Sequence, residues 1–375
     1  MVPSLWGREF PKSMPFLESR RSLLDLQPRR VCIIKPSALG DVVNAFAALS
    51  ALRALWPSAR FTWVINKSLQ GLVEGHPSID EVLTYDRARA GFKPKGIATF
   101  LDFLRALKRG NFDLAIDLQG LLRSGVMTAA TSAPVRVGLA DAREGATLFY
   151  THRVTPIESE VHAVDRLLAV ARAFGGEIAK PRFEVAIQDA DRAWAVEVLS
   201  TLPKPVLALN LGARWETKRW PPQHFAEVAR RAVESRGAGL LAIGAPEDRP
   251  IVDELIARLT PIPVLNLCGK TTLPQLAALA EASAAVLSND TGPLHLAVGA
   301  GARVVGVYTC TSPALNGPYG PRSLAVQTDV WCKGSYITTC SRLECMTELT
   351  PDRVWPLVLR QIDAAVGEIQ GASVQ

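Results

Sequence analysis

No apolar run in this 375-residue chain reaches the roughly 20 residues that a membrane-spanning helix requires. Residues 1–30 lack the apolar stretch of a signal peptide and carry charge throughout, from Arg8 and Glu9 to Arg20 and Arg21. They read as a disordered extension, or as an over-long start with Met14 as the true beginning. With neither a span nor a leader, the expected location is the cytoplasm. The G-x-G-x-x-G dinucleotide fingerprint is missing, as are a Walker A loop and an H-E-x-x-H helix. Gly299, Gly301 and Gly306 fall between a helix and a strand, the wrong order for that fingerprint. Basic residues form no run interleaved with aromatics, so the net charge of +6 favours anionic substrates over nucleic acid. Of the six cysteines, Cys32 and Cys268 sit in or beside apolar runs and read as buried thiols. Cys332, Cys340 and Cys345 cluster without C-x-x-C pairs or neighbouring histidines, which disfavours zinc.

What the chain does contain is strand–turn–helix alternation, twice over. Val31–Lys35, Phe61–Ile65, Val82–Tyr85, Leu114–Asp117 and Val135–Gly138 read as short buried strands. Helical stretches separate them, notably Val42–Leu55, Phe100–Arg109 and Gly120–Ala130. Helix His162–Phe174 follows, and the break Pro203-Lys204-Pro205 marks a linker at about residues 180–205. Alternation restarts at Val206–Asn210 and continues through strands Leu240–Ile243 and Val264–Leu267. A last helix runs from Asp352 to Ile369. Such alternation implies parallel sheets covered by helices on both faces. The expected architecture is α/β, with two Rossmann-like domains facing a cleft. Ligands of such sheets bind beyond the carboxyl ends of the strands.

The turns at those ends carry the polar residues. In Ser288-Asn289-Asp290-Thr291-Gly292-Pro293-Leu294-His295, a strand feeds a short helix. Asp290 or Thr291 can cap that helix, Pro293 suits its first turn, and the free N–H groups suit a phosphate. An ordinary capped turn would read the same way. Asp41 sits where the first strand feeds the first helix, either as a capping carboxylate or as a general base. Ala213, Arg214, Lys218 and Arg219 follow the first strand of the second half, as a solvated basic loop or as a cation for a leaving diphosphate. Glu247 and Asp248 follow the next strand, where a carboxylate can hold ribose hydroxyls. Asp189-Ala190-Asp191 resembles a metal–diphosphate D-x-D, but its place at a helix start favours capping, with Asp189 as the cap. Arg87, Arg89, Lys93 and Lys95 form a basic stretch, solvated or facing the acceptor.

Taken together the turns resemble glycosyltransferase family nine, the bacterial heptosyltransferases of lipopolysaccharide core synthesis. Ser37 to Val42 is similar to the family's S-x-x-G-D-V, and Asp117 to Ser124 to its D-x-Q-G-L-x-x-S. Lys218-Arg219-Trp220-Pro221 resembles K-x-W-P, Asp290 to His295 resembles D-T-G-x-x-H, and Gly317–Gly320 resembles a later loop. Arg143-Glu144, Leu148–Tyr150 and His162–Arg166 are more like the first heptosyltransferase of the pathway. Cys345-Met346 before Leu349-Thr350-Pro351 is more like other members.

This resemblance implies the GT-B arrangement. Residues 31–188 would bind the acceptor, and residues 189–350 the nucleotide sugar. Residues 351–375 would form a helix packing back on the first domain. It implies inverting, metal-independent transfer from ADP-heptose to an anionic lipid-linked sugar, Kdo-lipid A or a heptosylated core, at the inner membrane surface, by a monomer without a cofactor. Asp41 would be the base and Lys218 the stabilising cation. Ala213, Arg214, Lys218, Glu247, Asp248, Thr271, Asp290, Thr291, Gly292 and His295 would hold the donor. Ser37, Ala38, Leu39, Gly40, Gln119, Arg123 and Arg143 would hold the acceptor. Rival expectations are a sibling transferase with another nucleotide sugar, an inactive nucleotide-sugar-binding protein and a nicotinamide oxidoreductase.

Overall fold

The computed structural model describes residues 22–87, 89, 94–157, 162–176 and 182–372. Most of the N-terminal extension and Lys93 of the basic stretch lie outside the described residues. The first half runs β1 (Arg30–Ile34), α1 (Leu39–Leu55), β2 (Arg60–Asn66), β3 (Glu81–Tyr85), α2 (Pro94–Arg109), β4 (Leu114–Asp117), α3 (Leu122–Ala130), β5 (Val135–Leu139), β6 (His152–Val154) and α4 (Ala163–Ala173). The second begins with α5 (Asp189–Ser200), β7 (Val206–Asn210), α6 (Pro222–Arg236), β8 (Gly239–Ile243), α7 (Arg249–Leu259), β9 (Val264–Asn266) and α8 (Leu273–Ala282). It continues with β10 (Ala285–Asn289), α9 (Gly292–Gly299), β11 (Val304–Tyr308), α10 (Pro313–Asn316), β12 (Ser323–Gln327), α11 (Glu344–Glu348) and α12 (Pro351–Ala372).

Both sheets are parallel, in the orders β3-β2-β1-β4-β5-β6 and β9-β8-β7-β10-β11-β12. These are two copies of one doubly wound topology, with the strand order reversing beside β1 and beside β7. The expected two-domain α/β fold is present. Val31, Cys32, Ile33 and Ile34 are fully buried, because helices cover both faces of the sheet. β6 and β12 escaped the sequence reading, since His152-Arg153 leaves β6 a single apolar residue and Ser323 and Gln327 cut β12 to three.

Helix α1 joins the halves. It is apolar nearly all round, burying Val42, Val43, Phe46, Leu49 and Leu52, because it packs on its own sheet, on α4 and on α9 of the second half. A second link lies beside it. The Tyr319 hydroxyl donates to Asp165 Oδ1 at 2.9 Å, His162 Nε2 lies 3.0 Å from the Gly317 carbonyl, and the His162 and Tyr319 rings pack with their centres 4.9 Å apart and their planes tilted by 51°. Tyr319→Phe removes one bond across the halves and is expected to cost about 1 kcal/mol. A thermal melt of the variant checks this.

Two expectations need correction. Helix α12 packs on the second domain, not back on the first. Its stripe of Val354, Val358 and Ile362 joins Leu287, Val305 and Val307 of β10 and β11 in one apolar cluster. Arg231–Asp352 and Arg236–Asp363 ion pairs tie it to α6. The stripe recurs every four residues and matches the apolar face of that sheet. The linker is also narrower than 180–205, because α5 lies within that range and packs on α8, held by Arg192–Glu281 at 2.9 Å. The cap of α5 is Gln188. Asp189 and Asp191 sit inside the first turn, where acidic side chains favour the helix dipole.

Candidate active site

On the first half, the turn after β1 brings the predicted residues together. Asp41 occupies the third position of α1, and its Oδ2 accepts from the Ala38 N–H at 3.2 Å. Ser37 N donates to Gln119 Oε1 at 3.3 Å, which ties this turn to the one after β4. That second turn is built on Asp117, whose Oδ1 accepts from the N–H groups of Gln119 and Gly120 at 2.8 and 3.0 Å. Its Oδ2 accepts from the Tyr150 hydroxyl at 2.7 Å. Burial pushes the Asp117 carboxyl up, and these hydrogen bonds pull against that shift.

A cavity of about 360 Å³ opens between these turns. Asp41, Asn44, Asp117, Gln119 and Arg143 line it, with Lys35 at its base. Asp141 and Arg166, themselves an ion pair, close one side, and Asn316 reaches in from the second half. Arg123 is not among the lining residues; its guanidinium lies over the Tyr85 ring. Lys35, Asn44 and Asn316 carried no expected role, and Tyr150 and Arg166 entered only as ends of stretches resembling the family. Lys35 did leave a signal, a lone charge closing a fully apolar strand.

On the second half, Asp290 is the hub. Lys218 Nζ lies 2.7 Å from its Oδ2, the Thr311 hydroxyl donates to the same oxygen at 2.6 Å, and His295 Nε2 stands 3.8 Å from Oδ1. Burial alone would raise the pKa of Asp290. The nearby His295 imidazole, hydrogen bonds from Lys218 and Thr311, and the charge of Lys218 outweigh it and hold the value at about 2. The Lys218 ammonium also lies 4.5 Å from the centre of the Trp215 ring. Below the hub, Asn289 bonds the Leu211 carbonyl at 2.7 Å and accepts from the Trp220 N–H at 3.1 Å. This locks the Asp290 turn to the Lys218 loop. Thr291 occupies the cap position of α9 without a side-chain capping bond.

The outer donor positions differ in freedom. Asp248 accepts from the Ala245 N–H at 2.9 Å and packs over Gly212, where a Cβ would meet its Oδ2 at 2.0 Å. Glu247 beside it is exposed, as is Arg214. Ala213 is buried, and its carbonyl accepts from Arg219 Nε at 2.8 Å. Thr271 immediately precedes Thr272, the capping residue of α8.

The two helix starts meet. A Cβ on Gly40 would stand 2.7 Å from His295 Cδ2, and one on Gly292 would stand 2.8 Å from Leu39 Cβ. Only glycine lets the backbones approach this closely. A continuous set of contacts therefore runs from Gly40, next to Asp41, through His295 and Asp290 to Lys218. A carboxylate stands on one side of this junction, and an ammonium and a helix N-terminus on the other. That arrangement can take a proton from a nucleophile and receive negative charge on a leaving group.

All six cysteines are free, with Cys32 and Cys268 buried. Cys310 Sγ lies 3.4 Å from Thr217 Oγ1, next to Lys218. Among the described residues, no group of three or more His, Cys, Asp or Glu is placed to hold a metal ion, and no helix is long and apolar enough to cross a membrane.

Known proteins share this sequence and fold. The chain is 30% identical over 295 residues to the lipopolysaccharide core heptosyltransferase OpsX of Haemophilus influenzae, covering 78% of this chain and 82% of that one. It is 29% identical over 306 residues to lipopolysaccharide heptosyltransferase 1 of Escherichia coli K12, covering 79% and 92%. Structures of the E. coli heptosyltransferase WaaC with ADP and with ADP-2-deoxy-2-fluoro heptose superpose with TM-scores of 0.70 and 0.69. They are 25% and 24% identical, and each alignment covers 88% of this chain and 99% of theirs. A family model described as glycosyltransferase family 9 (heptosyltransferase) matches residues 100–345. The chain belongs to glycosyltransferase family 9, the heptosyltransferase family.

Proposed function

We propose that the protein transfers a heptose, with inversion, from ADP-heptose to an anionic lipid-linked sugar of the lipopolysaccharide inner core, either Kdo-lipid A or a heptosylated core. The observation that carries this reading is the meeting of the α1 and α9 starts, with Asp41 on one side and the Lys218–Asp290 pair on the other. In this reading Asp41 takes the proton of the acceptor hydroxyl as that oxygen bonds the anomeric carbon. The bond from that carbon to the diphosphate breaks, and its electron pair leaves with ADP. Lys218 and the N–H groups of Thr291 and Gly292 stabilise the departing charge. Glu247 is the freer of the two acidic candidates for the ribose, since Asp248 is held by Ala245 and Gly212. Arg143, Gln119 and the turn Ser37–Gly40 face the acceptor. The OpsX and heptosyltransferase 1 likenesses support a heptosyl acceptor in the inner core, and the ADP-bound relatives support the donor. We place the enzyme at the inner face of the inner membrane, as a monomer that takes its acceptor from the membrane surface.

A donor screen reading released nucleotide tests this proposal. Turnover is expected with ADP-heptose and a Kdo-bearing acceptor. Turnover with a UDP-sugar alone would favour a sibling transferase. Tight ADP binding without turnover on any donor would favour a binding protein.

A further inference from the structure

Lys35 follows directly on β1. Continuing the strand's alternation, it falls on the face of Val31 and Ile33, the face that α1 covers. It is 6% exposed, lines the first-half cavity, and makes no ion pair among the described residues. A buried, unpaired ammonium is costly unless a function retains it. Its surroundings name that function. From α1 it is faced by Asp41, and from the turn after β4 by Asp117, which Tyr150 holds. Asp141 and Arg143 approach from the loop after β5, and Arg166, already paired with Asp141, from α4. The neighbouring α9 places His295 against Gly40. Three carboxylates thus line one cavity; Asp141 is paired with Arg166, which leaves Asp41 and Asp117 with Lys35, an ammonium that forms no ion pair among the described residues.

We propose that Lys35 is a positioning residue for the transfer step, its ammonium offsetting the joint charge of Asp41 and Asp117 so that the Asp41 carboxylate stays fixed at the cavity edge as the acceptor hydroxyl arrives. The inference rests on the reading of Asp41 as the base. The protonated form of Lys35 is the working one. Burial lowers its pKa from the ordinary lysine value, against the opposing charges of Asp41 and Asp117. Activity should therefore fall on the alkaline side as Lys35 loses its proton.

The test is a set of pH profiles of kcat and KM for the full chain and for Lys35→Met, Lys35→Arg and Asp41→Asn, with ADP binding measured by calorimetry on each. Lys35→Met should lose about 10- to 100-fold in kcat while KM for ADP-heptose stays within about twofold. Lys35→Arg, which keeps its charge at all accessible pH, should retain most of kcat and carry its activity further into alkali. A normal kcat in Lys35→Met, or an unmoved alkaline limb in Lys35→Arg, overturns the proposal. If Lys35→Met loses ADP binding through misfolding, the Lys35→Arg profile decides alone. If Asp41→Asn keeps its activity, the base assignment fails first. An inactive Asp41→Asn with wild-type behaviour in both Lys35 variants removes Lys35 only.

Discussion

Asp41→Asn is expected to abolish sugar transfer while ADP still binds. The substitution keeps shape and size but leaves the side chain unable to accept a proton from the acceptor hydroxyl. General-base catalysis is worth about 10²- to 10⁴-fold, so kcat should fall by that range. ADP affinity should stay within about twofold, because the residues proposed to hold the nucleotide all lie on the second half. The fold should survive too. Asp41 is exposed, and among the described residues its side chain accepts the capping contact from Ala38, which an amide oxygen can also accept. Single-turnover rates beside a calorimetric ADP titration give both numbers. An unchanged rate removes Asp41 from the base role, and a joint loss of rate and ADP binding points instead to a disturbed interface.

Lys218→Met carries the second large effect, and it acts on chemistry and stability together. The ammonium is the closest cation to Asp290 and the natural receiver of diphosphate charge, so kcat should drop by about 10²- to 10³-fold. Unlike Asp41, this residue sits in a buried pair, with the Asp290 side chain only 5% exposed. Its removal leaves the buried carboxylate facing Thr311 and His295 without its lysine partner. Melting should fall by several degrees, with a loss of about 2 kcal/mol or more. The acid side is affected as well. In the folded chain Asp290 titrates at about 2, below its ordinary 3.8, so the folded state binds that proton more weakly than the unfolded chain. The stability it contributes is complete above about pH 4 and disappears as pH falls toward 2. Denaturant titrations between pH 5 and pH 2 should show a shallower acid loss in Lys218→Met than in wild type. An identical slope would mean that Lys218 does not set the Asp290 titration.

The sheets were legible because β1, β7, β8 and β10 are buried on both faces, so apolar runs with small polar turns mark them without ambiguity. The edge strands β6 and β12 were not, since polar residues such as His152, Arg153, Ser323 and Gln327 leave them no apolar run of that length. Asp41, Asp290, Lys218 and His295 stood out in the sequence because the polar turns of a doubly wound sheet gather at the strand ends, and the structure brings these four residues close together. The companions that give them their setting were less accessible. Thr311 comes from beyond β11 and Asn316 from α10, and their side chains reach the site only through tertiary packing. Arg123 stands apart from this group. Its motif position suggested the acceptor, yet it lies over Tyr85. The destination of α12 was equally hidden, because an apolar stripe announces that a face will be covered but not which sheet will meet it.

The apolar cluster around α1 does not stop at the boundary between the halves. Val42, Val43 and Phe46 belong to one continuous set with Leu294, Leu296 and Ala297 of α9 and Val286 of β10. The two halves therefore share part of one core, and cutting the chain between them would strip the facing surfaces of α1 and α9 of their cover. Cooperative melting follows, and so does linkage. A nucleotide that binds only the second half raises the cost of opening the first, because neither half reaches its unfolded state without uncovering the other.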